Sequence, residues 1–276
     1  EDVVQGRPVR APASRLHGIA ERVRRAATGA GFEGQLFWNV GAHYGDDERQ
    51  FDAEAVRLGM SDFVDGYTMH RYSMAPKAFP DDRFSQDVDI LRAVHPQAIE
   101  GRPLWNSEGG SGPSELFNLY RHSPPHQSRG QADAQADRMV RYVLSNFAAG
   151  IEKVFLYSFF EGDEWKPNYS YLHVDGQLSQ TSPAISNLAW LLEGKRLGEM
   201  VALPGGMFGH VYQGEGETVV ALVSSGLERP RFNVPTGTDV IDLYGNPVPR
   251  EGQVGGTVIF LRGANLTATD LPGMFD

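Results

Sequence analysis

One glutamate is set apart by what precedes and follows it. In Arg102-Pro-Leu-Trp-Asn-Ser-Glu108-Gly-Gly110 a short apolar run delivers a carboxylate, and two glycines come directly after. Strand residues alternate faces, so a Glu108 aimed into a pocket shares its side with Leu104 and Asn106, while Trp105 and Ser107 face the other layer. In a barrel of parallel strands the chemical groups sit at the C-terminal strand ends, which is the place Glu108 takes in this run. A carboxylate there can attack an electrophilic carbon or move a proton. The alternative is a solvated glutamate that opens a turn, and the other strand ends decide between the two.

Those ends carry a consistent set of groups. The first offers Trp38 and Asn39, leading to His43 and Tyr44; the second offers His70 and Tyr72; the third, Asn106 and Glu108; the fourth, Phe159, Phe160 and Glu161, with Trp165 a few residues on. His70 and Tyr72 are two apart, so one strand points both into the pocket and turns Arg71 away. Asn106 lies on the Glu108 face but deeper, where it fills the interior. Trp165, in the loop Glu161-Gly-Asp-Glu-Trp-Lys-Pro167, is either a ligand platform or an aromatic packed on the rim. Trp38 is either ligand-facing or a core aromatic, and Trp190, on the last helix, is expected in the core. Rings, an imidazole, amides and a carboxylate along one rim suit a sugar, whose C–H faces pack on aromatics while its hydroxyls need paired donors and acceptors.

The elements that must hold these ends follow from the apolar periodicity. A helix begins at Ser14, with Leu16, Ile19, Ala20, Val23 and Ala27 on its dry side, Arg22, Arg24 and Arg25 on its wet side, and glycines 29 and 31 to stop it. A buried strand, Gln35 to Val40, comes next. A helix around Ala53 to Leu58, a strand from Phe63 to Met69, a helix from Phe84 to Val94 and the strand Pro103 to Glu108 continue the order. The strongest helix spans Asp133 to Ala149, with Ala136, Met139, Val140, Val143, Leu144 and Phe147 as a stripe and Gly150 as its end. Lys153 to Phe160 is the most hydrophobic strand, and Ser182-Pro183 opens a last helix. Strands apolar on both faces that alternate with helices predict a parallel sheet covered by helices. Beyond Gly194 the texture changes to short β-branched runs, Thr218 to Val223, Thr238 to Leu243 and Thr257 to Leu261, with turn chemistry at Asp242-Leu-Tyr-Gly-Asn-Pro247 and a hairpin turn at Gly214 to Glu217. This predicts a small antiparallel β-sandwich over 194–276 behind an α/β domain over 1–193.

Composition narrows the function. The 276 residues are 41% hydrophobic and 22% charged, enough for a real core. A net charge of -10 argues against nucleic acid, whose phosphates need a basic face. No run of about 18 apolar residues is present, so no membrane-spanning helix is expected. The absence of cysteine removes disulfides and thiolate chemistry but leaves the compartment open, cytoplasmic or secreted. The eight histidines are scattered without a zinc pattern, His122 and His126 included, and no phosphate-cradling glycine motif or nucleophile elbow occurs; Ser111 in Gly109-Gly-Ser-Gly112 has no triad around it.

Taken in order, the strand ends resemble the C-terminal half of a clan A glycoside hydrolase, a retaining (β/α)8-barrel enzyme, followed by the β-sandwich that several of its families carry. Trp105-Asn-Ser-Glu108-Gly-Gly110 is similar to that clan's seventh-strand nucleophile motif. Met69-His-Arg-Tyr72 is similar to the sixth-strand group around it. Phe155-Leu-Tyr-Ser-Phe-Phe160, His173-Val-Asp-Gly176 and the run from Ser182 to Gly194 are similar to the run-out of such barrels, and the likeness covers roughly residues 14 to 265. It implies Glu108 as nucleophile, His70, Tyr72, Trp38, Asn39 and Trp165 around a carbohydrate substrate, and no cofactor. A full barrel needs eight βα units, about 250 residues, whereas four are read here, so strands five to eight are expected and one to four are missing. The clan's acid/base motif Asn-Glu-Pro does not occur. Glu1 stands near its place without a preceding strand, so the acid/base is expected in a missing N-terminal half. The rival expectation is a non-catalytic carbohydrate-binding or structural half barrel that pairs with a second copy or another chain to cover its edges.

Overall fold

The computed structural model describes residues 3–4, 7–8, 12–40, 46–73, 100–111, 129–157, 176–224, 230–254 and 256–275. The expected helix Phe84 to Val94, together with Glu1, His43, Tyr44, His122, His126, Trp165 and Phe159 to Glu161, lies outside them. The described residues form two compact units, one holding those up to Arg71, from 100 to Glu108 and Ile151–Val154, the other holding the rest.

In the first unit a short antiparallel pair, Val3–Val4 (β1) with Arg7–Pro8 (β2), precedes the helix Ala13–Gly29 (α1). Phe37–Asn39 (β3), the helix Asp46–Arg57 (α2) and Gly66–Ser73 (β4) follow. With Leu104–Ser111 (β5) and Lys153–Leu156 (β6), the strands form a four-stranded parallel sheet in the order β3-β4-β5-β6. The expected parallel sheet is thus present in a mixed α/β fold, with described helices before β3, between β3 and β4 and between β5 and β6. Several boundaries move. Phe63 ends a 3-10 turn, Met60–Phe63, so β4 starts at Gly66 and runs on through His70 and Tyr72. Pro12, rather than Ser14, is the N-cap of α1.

Arg24 corrects the expected wet side of α1. Its Nε donates to the Phe63 carbonyl at 3.0 Å and its terminal nitrogen to Asp65 Oδ2 at 2.8 Å. Asp65 also accepts the Leu36 N–H at 2.7 Å, and that bond, helped by Arg24 and Arg102, holds its carboxyl below the ordinary value against the opposing effect of burial. A long amphipathic stem thus reaches across to tie α1 to the strand starts, while Ile19 and Val23, expected inside, are 42% and 48% exposed.

β6 departs from the expectation of strands buried on both faces. Lys153, Phe155 and Tyr157 are exposed, the two rings by 49% and 43%. Among the described residues it stands last in the strand order, with a strand neighbour on one side.

The second unit holds the helix Arg129–Ala148 (α3), packed against Thr181–Leu192 (α4), and an antiparallel region. Arg196–Leu203 (β7), Met207–Gly214 (β8), Glu217–Ser224 (β9), Asp239–Ile241 (β11) and Ile259–Gly263 (β13) make a five-stranded sheet in the order β11-β13-β9-β8-β7. Arg231–Asn233 (β10) and Glu251–Gln253 (β12) pair separately. Phe232, Val234 and Val254 share one core with Met207, Val211, Val220, Leu222 and Leu261, so side chains near the short pair close over the larger sheet. The hairpin at Gly214 to Glu217 and the turn after Asp242 stand where the sequence puts them; Asp242 Oδ1 accepts the N–H groups of Tyr244 and Asn246, and Gly245 takes φ 91°. The strands β7 and β8 were not anticipated. Gly209 in β8 is the reason for one of them: a Cβ there would stand 2.9 Å from Leu271, so close packing demands a residue that sequence reads as a breaker.

Trp190 is not a core residue. It is 58% exposed, because the inward stripe of α4 runs through Thr181, Ala184, Leu188 and Leu191, and the Arg262 guanidinium lies 5.0 Å from its ring.

Candidate active site

Two of the residues singled out by sequence meet directly. His70 Nδ1 on β4 stands 3.6 Å from Glu108 Oε2 on β5, with side chains 33% and 35% exposed. That distance is beyond a direct hydrogen bond but within reach of an ion pair when the imidazole is protonated. A half-open carboxylate held beside an imidazole on neighbouring parallel strands can present an oxygen to a ligand from solvent. Glu108 lies inside the strand, which continues to Ser111, and not at its end.

Burial along β5 alternates only as far as Ser107. Leu104 and Asn106 are buried, whereas Glu108 is half-buried like Trp105 and Ser107. Glu108 follows Asn106 by two residues in one continuous strand and is half-open to solvent. Asn106 does fill the interior, at 0% exposure, and engages the Arg71 backbone at 3.3 and 3.4 Å.

The register of β3 on β4 sorts the others. Phe37, Trp38 and Asn39 lie opposite Gly66, Tyr67 and Thr68. Alternation therefore puts Asn39 on the His70 face, and Asn39 is exposed there. Trp38 takes the opposite face with Tyr67, ring centroids 6.0 Å apart, and is 7% exposed. Tyr72 lies two residues beyond His70 in β4 and is half-buried.

One supporting group escaped the sequence reading. Phe37 stacks on Trp105 with centroids 3.8 Å apart, and Lys153 Nζ sits 4.2 Å from the Trp105 ring. Gly66 makes this possible, since a Cβ there would stand 2.4 Å from the Phe37 ring and 2.7 Å from the Pro103 carbonyl. A glycine inside a strand beside an aromatic is the signal that would have found it. Among the described residues no group of three or more histidine or acidic side chains could hold a metal ion, and no helix is long and apolar enough to cross a membrane.

No protein-family model matches the chain, and no curated protein matches it. Solved structures do. A family 39 glycoside hydrolase from the gut symbiont Bacteroides cellulosilyticus is 19% identical, with a TM-score of 0.56 over 76% of this chain and 46% of that one. A family 51 α-L-arabinofuranosidase from Bifidobacterium longum is 11% identical, with a TM-score of 0.60 over 92% of this chain and 63% of that one. A glycoside hydrolase family 30 subfamily 8 xylanase from Clostridium acetobutylicum is 9% identical, with a TM-score of 0.54 over 91% and 60%. The likeness shows a clan A glycoside-hydrolase-like fold. The chain spans 46%, 63% and 60% of the lengths of these three proteins.

Proposed function

We propose that this chain carries the nucleophile side of a retaining glycoside hydrolase site. The observation that supports it most is the pairing of Glu108 with His70 at 3.6 Å on adjacent strands of a clan A-like sheet. Glu108 attacks the anomeric carbon, the leaving oxygen departs with a proton, and water then cleaves the glycosyl-enzyme ester. The proton donor is a second carboxyl group about 5 Å from the first. We assign it to a position outside the described residues, in keeping with a chain shorter than its structural neighbours. In this reading residues 1–193 form the catalytic α/β part and 194–276 a β-sandwich accessory domain. His70 aligns the carboxylate, Asn39 binds a sugar hydroxyl, and no cofactor takes part; Trp38, buried on the opposite face, packs the strand from behind.

The test is turnover of a panel of aryl glycosides. Glu108→Gln keeps the shape and removes the nucleophile, so activity falls by roughly 10⁴-fold or more while the thermal midpoint stays within about 2 °C. Full activity in that variant overturns the assignment.

The exposed Phe155 on β6 and Tyr157 just after it support a second reading, a half barrel that binds carbohydrate without catalysis and assembles through that strand with another chain.

A further inference from the structure

Asn106 does something a space-filling residue need not do. Its Oδ1 accepts the Arg71 N–H at 3.3 Å and its Nδ2 donates to the Arg71 carbonyl at 3.4 Å, so both backbone groups of one residue are taken by a single side chain. A carboxamide has the donor and acceptor of a peptide, and here it adds a side-chain clasp between the neighbouring strands β4 and β5. Just before β5 begins, the Tyr67 N–H of β4 donates to the Pro103 carbonyl at 2.9 Å.

The place of this clasp matters. Arg71 adjoins His70, and Glu108 follows Asn106 by two residues, so the clasp sits at the level where the imidazole meets the carboxylate. The geometry points to Asn106 as a positioning residue that fixes the separation of the two strands and thereby the His70 to Glu108 distance. This rests on reading Glu108 as the reactive carboxylate. Asparagine suits the place: aspartate lacks the donor, leucine lacks both groups, and glutamine adds a methylene to a fully packed site.

The test compares histidine-labelled (¹⁵N) protein with and without the clasp. In the parent chain Glu108→Gln shifts the His70 ring-nitrogen resonances. In Asn106→Leu, and in the gentler Asn106→Ser, circular dichroism reports a folded chain and the same Glu108→Gln change shifts those resonances by less than half as much. A response of undiminished size in either folded variant overturns the proposal; no response in the parent overturns the His70 to Glu108 pair and the proposal with it. With an aryl glycoside that the parent turns over, Asn106→Ser lowers kcat by about tenfold and leaves KM within about threefold, and an unchanged kcat overturns it. A parent that turns over none of the panel sinks the glycosidase reading alone, because the ring-nitrogen comparison decides the clasp without activity.

Discussion

Glu108 and His70 were singled out from residue type and strand position, and they meet because neighbouring parallel strands bring equivalent positions side by side. Trp190 was judged by the same rules and lies on the surface, since its cover comes from Arg262, far along the chain. His210 was not singled out at all, yet it is the most consequential titratable group in the antiparallel region. It is wholly buried on β8 beside Tyr212, and burial pushes its pKa down to about 4 from 6.5. The unfolded chain therefore binds a proton that the folded chain refuses. The stability from this group is complete above about pH 6.5 and is lost as pH falls toward 4, a change of roughly 3 kcal/mol. Urea unfolding at pH 7.5 and pH 4.5 measures it, and His210→Leu should flatten that part of the profile. A variant as acid-sensitive as the parent in this window would contradict the assignment.

At the scale of elements, α3 shows how a correct periodicity can hide its most important contacts. Its apolar stripe is where the spacing puts it, with Ala136, Met139, Val140 and Leu144 fully buried. Asp137 and Arg141 are buried too. Arg141 Nε donates to Asp137 at 2.5 Å, its terminal nitrogens donate to the carbonyls of Ser224 and Gly256 at 2.6 and 3.0 Å, and Asp137 accepts the Val258 N–H at 2.7 Å. Burial pushes the Asp137 carboxyl up, and the Arg141 guanidinium and the Val258 N–H offset part of that rise. The pair thus stitches the helix to the ends of backbone segments around β9 and β13. Arg141→Met leaves a buried carboxylate without its ion-pair partner and is expected to destabilise by about 3 to 5 kcal/mol in urea unfolding, with part regained in Asp137→Leu/Arg141→Met. A loss under about 1 kcal/mol would show that the pair is not structural.

At the scale of the whole molecule, Phe155 on β6 and Tyr157 after it are exposed, and β6 stands last in its sheet among the described residues. If pairing through this strand operates, the 30.4 kDa chain sediments at twice its mass and Phe155→Lys/Tyr157→Lys returns it to a monomer. A monodisperse parent monomer at high concentration would remove the second reading. The sequence determined the parallel sheet and its described helices, the change of texture beyond Gly194, the hairpin before Glu217 and the turn after Asp242, because apolar period and turn chemistry act over a few residues. It also marked Glu108 and His70. Tertiary structure decided what depends on distant partners: Arg24 drawn in by Phe63 and Asp65, the strand β8 built around a glycine, and the approach of His70 to Glu108. The Arg102-to-Gly110 segment thus names its carboxylate locally, while the neighbour that meets it is set by strand register, which local sequence does not encode.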